Sequence, residues 1–140
     1  MKPTESELEI LHILWEKGPS TVRTVNDVLN ERRKNNQSVS RGAAKPKESA
    51  GYTTTLKLMQ IMFEKGLVSR EEDGRTHNYA AAVREEDTQS LLLQQFVDNT
   101  FRGSTARLVM QALGNHEASA EELDEIKALI AQLENNPPKL

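Results

Sequence analysis

The sequence predicts a mainly α-helical chain in two parts, and three observations carry the prediction. Apolar residues recur at helical spacing in six stretches, capping-box tetrapeptides open two of them, and after Gly66 the pattern changes to that of a short antiparallel hairpin. Three helices followed by a hairpin, over residues 1–82, is the order of a winged helix-turn-helix. The helical stretches of residues 83–140 form a second part, expected to hold two copies of the chain together.

The first helix is announced by Thr4-Glu5-Ser6-Glu7, in which Thr4 can accept from the Glu7 amide while Glu7 reaches back. Leu8, Leu11, Leu14 and Trp15, with Ile10, give it an apolar face, and Gly18-Pro19 closes it. Ser20 is the expected N-cap of a second helix that places Val22, Val25, Val28 and Leu29 on one face and ends near Lys34. Residues 35–51 are small, polar and interrupted by a proline, so they are expected to form a flexible basic loop, long for so small a domain. Tyr52–Lys65 is the third helix, with Thr55, Leu58, Met59 and Met62 at helical spacing and Gly66 as its stop. Leu67–Arg70 and Arg75–Ala80 are the expected strands of the wing, around a turn that ends at Gly74.

Beyond Arg84, Leu91, Leu92, Phe96, Val97 and Phe101 mark a fourth helix that breaks at Arg102-Gly103-Ser104. Thr105–Leu113 is a fifth, ended by Gly114-Asn115. Ser119-Ala120-Glu121-Glu122 caps a sixth, carrying Leu123, Ile126, Leu129, Ile130 and Leu133 and stopped by Asn136-Pro137-Pro138. Three short amphipathic helices have more apolar face than they can bury on one another. Leu91, Phe96, Phe101, Leu108, Leu123, Ile126 and Ile130 are therefore the expected dimerisation residues. No internal repeat is present.

The net charge of −3 hides an asymmetry. Residues 1–81 hold 13 Lys and Arg against 11 Asp and Glu, a net of +2, whereas residues 82–140 hold 5 against 10, a net of −5. Between Arg32 and Lys57 lie Arg32, Arg33, Lys34, Arg41, Lys45, Lys47 and Lys57 against Glu48 alone. Local charge, not the total, governs contact with phosphate. The chain contains no cysteine, which excludes disulfides, thiol nucleophiles and thiolate metal sites and suits a reducing cytoplasm. No stretch approaches the about 18 apolar residues of a membrane span, and the start of the chain is not a leader, so a cytoplasmic protein without a membrane partner is expected.

Catalysis finds no support. His12, His77 and His116 are scattered, and no phosphate-cradling glycine loop, nucleophile elbow or carboxylate constellation appears, so neither a cofactor nor a metal is expected. The third helix instead begins Tyr-Thr-Thr-Thr and has no acid before Glu64, which suits it to an anionic polymer, and double-stranded DNA is the expected partner. In a docked helix-turn-helix the N-terminal part of the recognition helix meets base edges. Thr53, Thr54, Lys57 and Gln60 are the base-side candidates. Arg75, placed in the second wing strand, would serve the minor groove or a phosphate, and Arg41, Lys45 and Lys47 of the loop would serve phosphates. His77 is expected to be structural. Arg32, Arg33 and Lys34 stand evenly between a solvated helix end and a phosphate contact. A winged helix that docks a protein through its acidic C-terminal half is the competing reading.

These residues resemble the BlaI/MecI/CopY family of bacterial repressors, the penicillinase-repressor-like proteins. The resemblance lies in Glu7-Leu8-Glu9-Ile10-Leu11 followed by Leu14-Trp15, in Tyr52-Thr53-Thr54-Thr55-Leu56 leading to Glu64-Lys65-Gly66-Leu67-Val68, in Arg75–Tyr79, and in Phe101-Arg102-Gly103-Ser104. It implies a homodimer whose N-terminal winged helices bind a palindromic operator and whose C-terminal helices hold the dimer. Two departures bear on regulation. The 35–51 loop is longer than the family pattern, immediately before the recognition helix. The beta-lactam-responsive members are cleaved at an Asn-Phe bond, where this chain has Gln111-Ala112, and the copper-responsive members use C-terminal cysteines, which this chain lacks. The resemblance therefore leaves the inducing signal, and any upstream sensor or protease, unidentified.

Overall fold

The computed structural model describes residues 2–39, 51–115 and 118–136. Arg41, Lys45 and Lys47 lie outside the described residues. In chain order the elements are α1 Glu5–Lys17, α2 Val22–Val39, α3 Tyr52–Glu64, β1 Val68–Asp73, β2 Thr76–Ala81, α4 Glu85–Thr100, α5 Thr105–Asn115 and α6 Ala120–Asn135. The fold is mainly α, with a winged helix first and a helical region after it. Residues group into two compact units, 1–92 and 93–140, each described by itself.

In the first unit, α1 starts at the expected capping box. The Glu7 amide donates to Thr4 Oγ1 at 3.2 Å and the Thr4 amide donates to Glu7 Oε1 at 2.8 Å. Ile10, Leu11, Ile13 and Leu14 then turn inward against Val22, Val25 and Leu29 of α2, Met59 and Met62 of α3, and Leu67, Val68 and Tyr79 of the wing. This cluster is the core on which everything else is mounted, each side chain contributing about 1.5–3 kcal/mol by leaving water.

Two features of α2 differ from expectation. Thr21, not Ser20, caps it, since the Thr24 amide donates to Thr21 Oγ1 at 3.2 Å. Ser20 is instead taken up by the sheet: its amide donates to the Tyr79 carbonyl at 2.9 Å and its carbonyl accepts from the Tyr79 amide at 2.8 Å, a bridge beside β2. The helix also continues to Val39 and does not end near Lys34, so residues 35–39 of the expected loop are helical. Ion pairs to α1 help: Arg32 binds Glu16, and Arg33 Nε lies 3.5 Å from Glu9. Local composition alone under-called a helix end that a neighbouring helix supports.

Gly66, at φ 82°, adopts the left-handed conformation that turns the chain out of α3, and the Leu67 amide donates to the Met62 carbonyl at 2.9 Å. The wing strands pair antiparallel from Val68↔Ala81 to Asp73↔Thr76. Gly74-Arg75 is thus a two-residue turn, with positive φ at Gly74 (67°) and not at Arg75, as a type II′ hairpin requires. Arg75 therefore occupies the wing tip and not the second strand. β1 is longer than predicted because Glu71 and Glu72, acidic and turn-like in sequence, pair with β2 while exposed to solvent, and β2 is shifted by one residue from the expected Arg75–Ala80.

In the second part of the chain, α6 opens with a capping box, the Glu122 amide donating to Ser119 Oγ at 3.0 Å. Among the described residues Val97 is buried, whereas α5 and α6 bury none of theirs. Leu91 and Phe96 of α4, Leu113 of α5, and Leu123, Leu129, Ile130 and Leu133 of α6 stand exposed; Phe101, Leu108 and Ile126 are half-buried. Phe96 and Phe101 meet edge to face at 5.6 Å. No described helix is long and apolar enough to cross a membrane.

Arg102, after α4, holds φ 52°, a left-handed backbone that a side chain disfavours. Arg102→Gly is expected to raise the unfolding free energy by up to about 1 kcal/mol by relieving that strain, less glycine's larger unfolded-state entropy. Paired urea titrations of variant and parent measure it.

Candidate nucleic-acid interface

The buried face of α3 carries Thr55, Met59 and Met62, which leaves Thr53, Thr54, Lys57 and Gln60 exposed on the other side. Thr53, Lys57 and Gln60 follow at i, i+4 and i+7 and so share one stripe. The helix is held in that rotation by a polar bond within its apolar seam: Thr55 Oγ1 donates to Asn26 Oδ1 of α2 at 2.7 Å. Leu56, which fits poorly on a purely polar outer face, is half-buried against the core. Phe63, the other misfit, lies under Arg70 of β1, whose guanidinium carbon is 4.2 Å from the ring centroid. That stacking fastens the wing to the end of α3.

An open groove runs between the start of α2, α3 and the wing. Thr21, Val22, Arg23, Tyr52, Leu56, Gln60, Arg75, Thr76, His77 and Tyr79 line it. Two arginines enter from different elements, and among the described residues no carboxylate lines it. Neither α2 nor α3 has an acid in its first turn, and Gly51 offers α3 no side-chain cap, so no first-turn carboxylate offsets the positive end of either helix. A phosphate beside such ends gains backbone amides as well as cations. His77 sits on the groove wall, its ring 6.4 Å from that of Tyr79 and its Nδ1 buried without a hydrogen-bond partner among the described residues.

Of the candidates read from sequence, Gln60 and Arg75 meet in this groove, while Thr53, Thr54 and Lys57 stand exposed on α3. Arg32 and Arg33 are engaged with Glu16 and Glu9, which favours the structural reading for them. Arg23, and Tyr52 beyond its place in the opening motif of α3, are not among the site residues the sequence suggests. The Arg23 guanidinium carbon lies 5.8 Å from the Tyr52 ring centroid, which joins the first turns of α2 and α3. The signal was an arginine in the first turn of one helix and an aromatic opening another, legible only once the two turns are adjacent. Among the described residues no three His, Cys, Asp or Glu side chains form a metal-binding group.

Beneath this surface sits an ion pair. Lys65 Nζ donates to Glu7 Oε1 at 2.8 Å and to Oε2 at 3.0 Å, linking the end of α3 to the start of α1. Burial pushes the Glu7 carboxyl up, but the Lys65 ammonium and the Thr4 amide and hydroxyl outweigh it, so the group lies below its ordinary value.

Comparison with known proteins joins this geometry to a lineage. The chain is 27% identical over 138 residues to the transcriptional regulator BlaI of Mycobacterium tuberculosis, covering 94% of this chain and 88% of that protein. It is 23% identical to the penicillinase repressor of Bacillus licheniformis, over 94% of this chain and 91% of the relative. To the methicillin resistance regulatory protein MecI of Staphylococcus aureus it is 20% identical, over 91% of each. A solved structure, a probable transcriptional regulator from Pseudomonas aeruginosa, covers 94% of this chain and 78% of its own at a TM-score of 0.42 and 16% identity, too loose a likeness to add to the fold. The family model described as penicillinase repressor matches residues 35–132, from the end of α2 through α3, the wing and α4 into α6. With that match spanning α3, the wing and most of the helical region, the chain belongs to the penicillinase repressor family.

Proposed function

We propose that the protein is a sequence-specific DNA-binding transcriptional repressor, acting in the cytoplasm as a homodimer on a palindromic operator. The observation that carries this reading is the outer face of α3: Thr53, Thr54, Lys57 and Gln60 are exposed beside a groove that Arg23 and Arg75 enter and that no carboxylate lines among the described residues. Thr and Gln read base edges by hydrogen bonds and methyl contact, Lys reaches guanine acceptors, and the flanking arginines hold phosphates. The relatives' names as repressors and regulators, and the exposed apolar residues of α4, α5 and α6, support the rest.

The test is binding to duplex DNA across a salt series. A repressor gives a log affinity that falls linearly with log salt and prefers one palindrome to random duplex by at least about 10³-fold. A protein-docking adaptor gives neither. Within that assay Lys57→Ala is expected to cost roughly 1–3 kcal/mol on the preferred operator and to relax discrimination at one position of each half-site, whereas Lys2→Ala leaves both unchanged. Equal affinity of Lys57→Ala and wild type would remove this residue from the interface.

A further inference from the structure

The buried face of α3 consists of Thr55, Met59 and Met62, with Leu56 and Leu58 half-buried beside them. Methionine is unbranched and adapts its shape to its surroundings, so this face binds the helix to the core more firmly than it fixes the helix's rotation. What is directional on it is a hydroxyl. Thr55 is fully buried, and its Oγ1 donates to Asn26 Oδ1 of α2 at 2.7 Å. A hydrogen bond weakens steeply when misaligned, whereas apolar contact does not. The C-terminal end of α3 has ties of its own, from Lys65 to Glu7 and from Phe63 to Arg70. Thr53, Thr54 and Lys57 lie in the first half, within two residues of Thr55, where Arg23 against the Tyr52 ring adds an exposed contact.

We infer that Asn26 and Thr55 are positioning residues: their bond fixes the rotation of α3 about its own axis, and with it which base edges the exposed side chains of that helix can reach. The inference rests on the sequence-specific repressor reading. A helix with its side chains is about 10–12 Å across, so a turn of roughly 20° carries its outer atoms about 2 Å. A base-edge hydrogen bond spans about 2.7–3.2 Å, and a shift of that size undoes it. Attraction to phosphate acts over a Debye length of about 8–10 Å and is barely changed by the same shift. Loss of the bond therefore removes discrimination and leaves general affinity for duplex. Fixing one arrangement among several that apolar packing would accept is the best-attested use of a buried polar pair.

Thr55→Val in the full-length chain keeps the branched shape and removes the donor, whereas Thr55→Ser keeps the donor and removes a methyl group. Each is titrated, at a temperature where it is fully folded, with the preferred operator, with that operator changed one base pair at a time, and with random duplex. For Thr55→Val the expected affinity for random duplex is within about twofold of wild type. Its preference for the operator over random duplex is expected to be at least about tenfold smaller, more than the loss of one weak base contact, and to fall at several positions of each half-site. Thr55→Ser is expected to keep the wild-type preference. A role in packing gives the opposite order, since Ser leaves a methyl-sized cavity and Val does not, and a role in stability alone scales every duplex equally. A wild-type preference in Thr55→Val, or an equal loss in Thr55→Ser, overturns the inference. Asn26→Ala reaches the same bond from a half-buried position on α2 and carries the test alone if neither Thr55 variant folds. It is expected to reproduce the loss of preference, and a wild-type profile there overturns the inference too. Wild type that discriminates among duplexes, with Thr55→Val that keeps its profile, sinks this inference alone. Wild type that prefers no duplex sinks the repressor reading with it.

Discussion

Lys65→Met is expected to lower the unfolding free energy by about 3 kcal/mol at neutral pH, the low end of the cost of stripping one partner from a buried ion pair. Glu7 is 1% exposed and its two oxygens take the Lys65 ammonium, so without Lys65 a buried carboxylate keeps the Thr4 amide and hydroxyl but no cation. The low end applies because the Lys65 side chain is 27% exposed and part of its charge is already screened. The pH dependence has a definite sign. In wild type the folded Glu7 titrates below its ordinary value of 4.5, so its stabilisation is complete above that value and is lost as pH falls through the lower folded value. In the variant, burial acts on Glu7 without its main counterweight, and protonation relieves the buried charge. Urea titrations at pH 7 and near pH 3.5 should therefore find a wide gap between the two proteins at neutral pH and a narrow one in acid. A gap that is the same at both would mean that Lys65 acts through packing of its stem.

The second large effect belongs to the far end of the chain. On the proposed reading as a dimeric repressor, Ile126→Asp combined with Ile130→Asp is expected to turn a dimer into a monomer at micromolar concentration and to weaken operator binding by about 10²–10⁴-fold. That range is what is lost when the second half-site is no longer engaged at the effective concentration set by the first. The two positions are four apart on α6, a helix that buries none of its residues and exposes Leu129 by 54% and Leu133 by 51% beside them. Sedimentation reads the first outcome and operator titration the second, while far-UV circular dichroism checks that the helices persist. A variant that stays dimeric would place the subunit contact elsewhere, on α4 or α5.

Much of this architecture was legible before any coordinates. Thr4 and Ser119 announced their helices because a capping box is a local device, complete within four residues. Gly66 and Gly74 announced the wing for the same reason. What the sequence misplaced depended on neighbours distant along the chain. Ser20 has the chemistry of a cap, but Tyr79 claims its backbone, and the cap passes to Thr21. Asn35 sits in a polar run, but the α1 carboxylates that hold Arg32 and Arg33 sustain the helix past it. At the interface, the exposed stripe of α3 followed from its period, whereas Arg23 reached the groove only through the crossing of α2 and α3 that Thr55 and Asn26 fix. Trp15 was visible as part of a motif, and its indole bond to Val83 was not, since nothing in a linear pattern says where a ring N–H will point.

The mutual pairing of Ser20 and Tyr79 also bears on how this chain tolerates change in length. Those two amide–carbonyl bonds close a loop of roughly sixty residues, one that contains the whole of α2, α3 and β1 along with the 40–50 segment. The entropy of closing a loop grows only with the logarithm of its length, so ten residues added to a loop of that size cost on the order of 0.1 kcal/mol. Even for the tighter closure inside it, the Asn26–Thr55 bond that joins α2 to α3 across 29 positions, the same addition costs only about 0.3 kcal/mol, so a change of length ahead of α3 is close to neutral for closure.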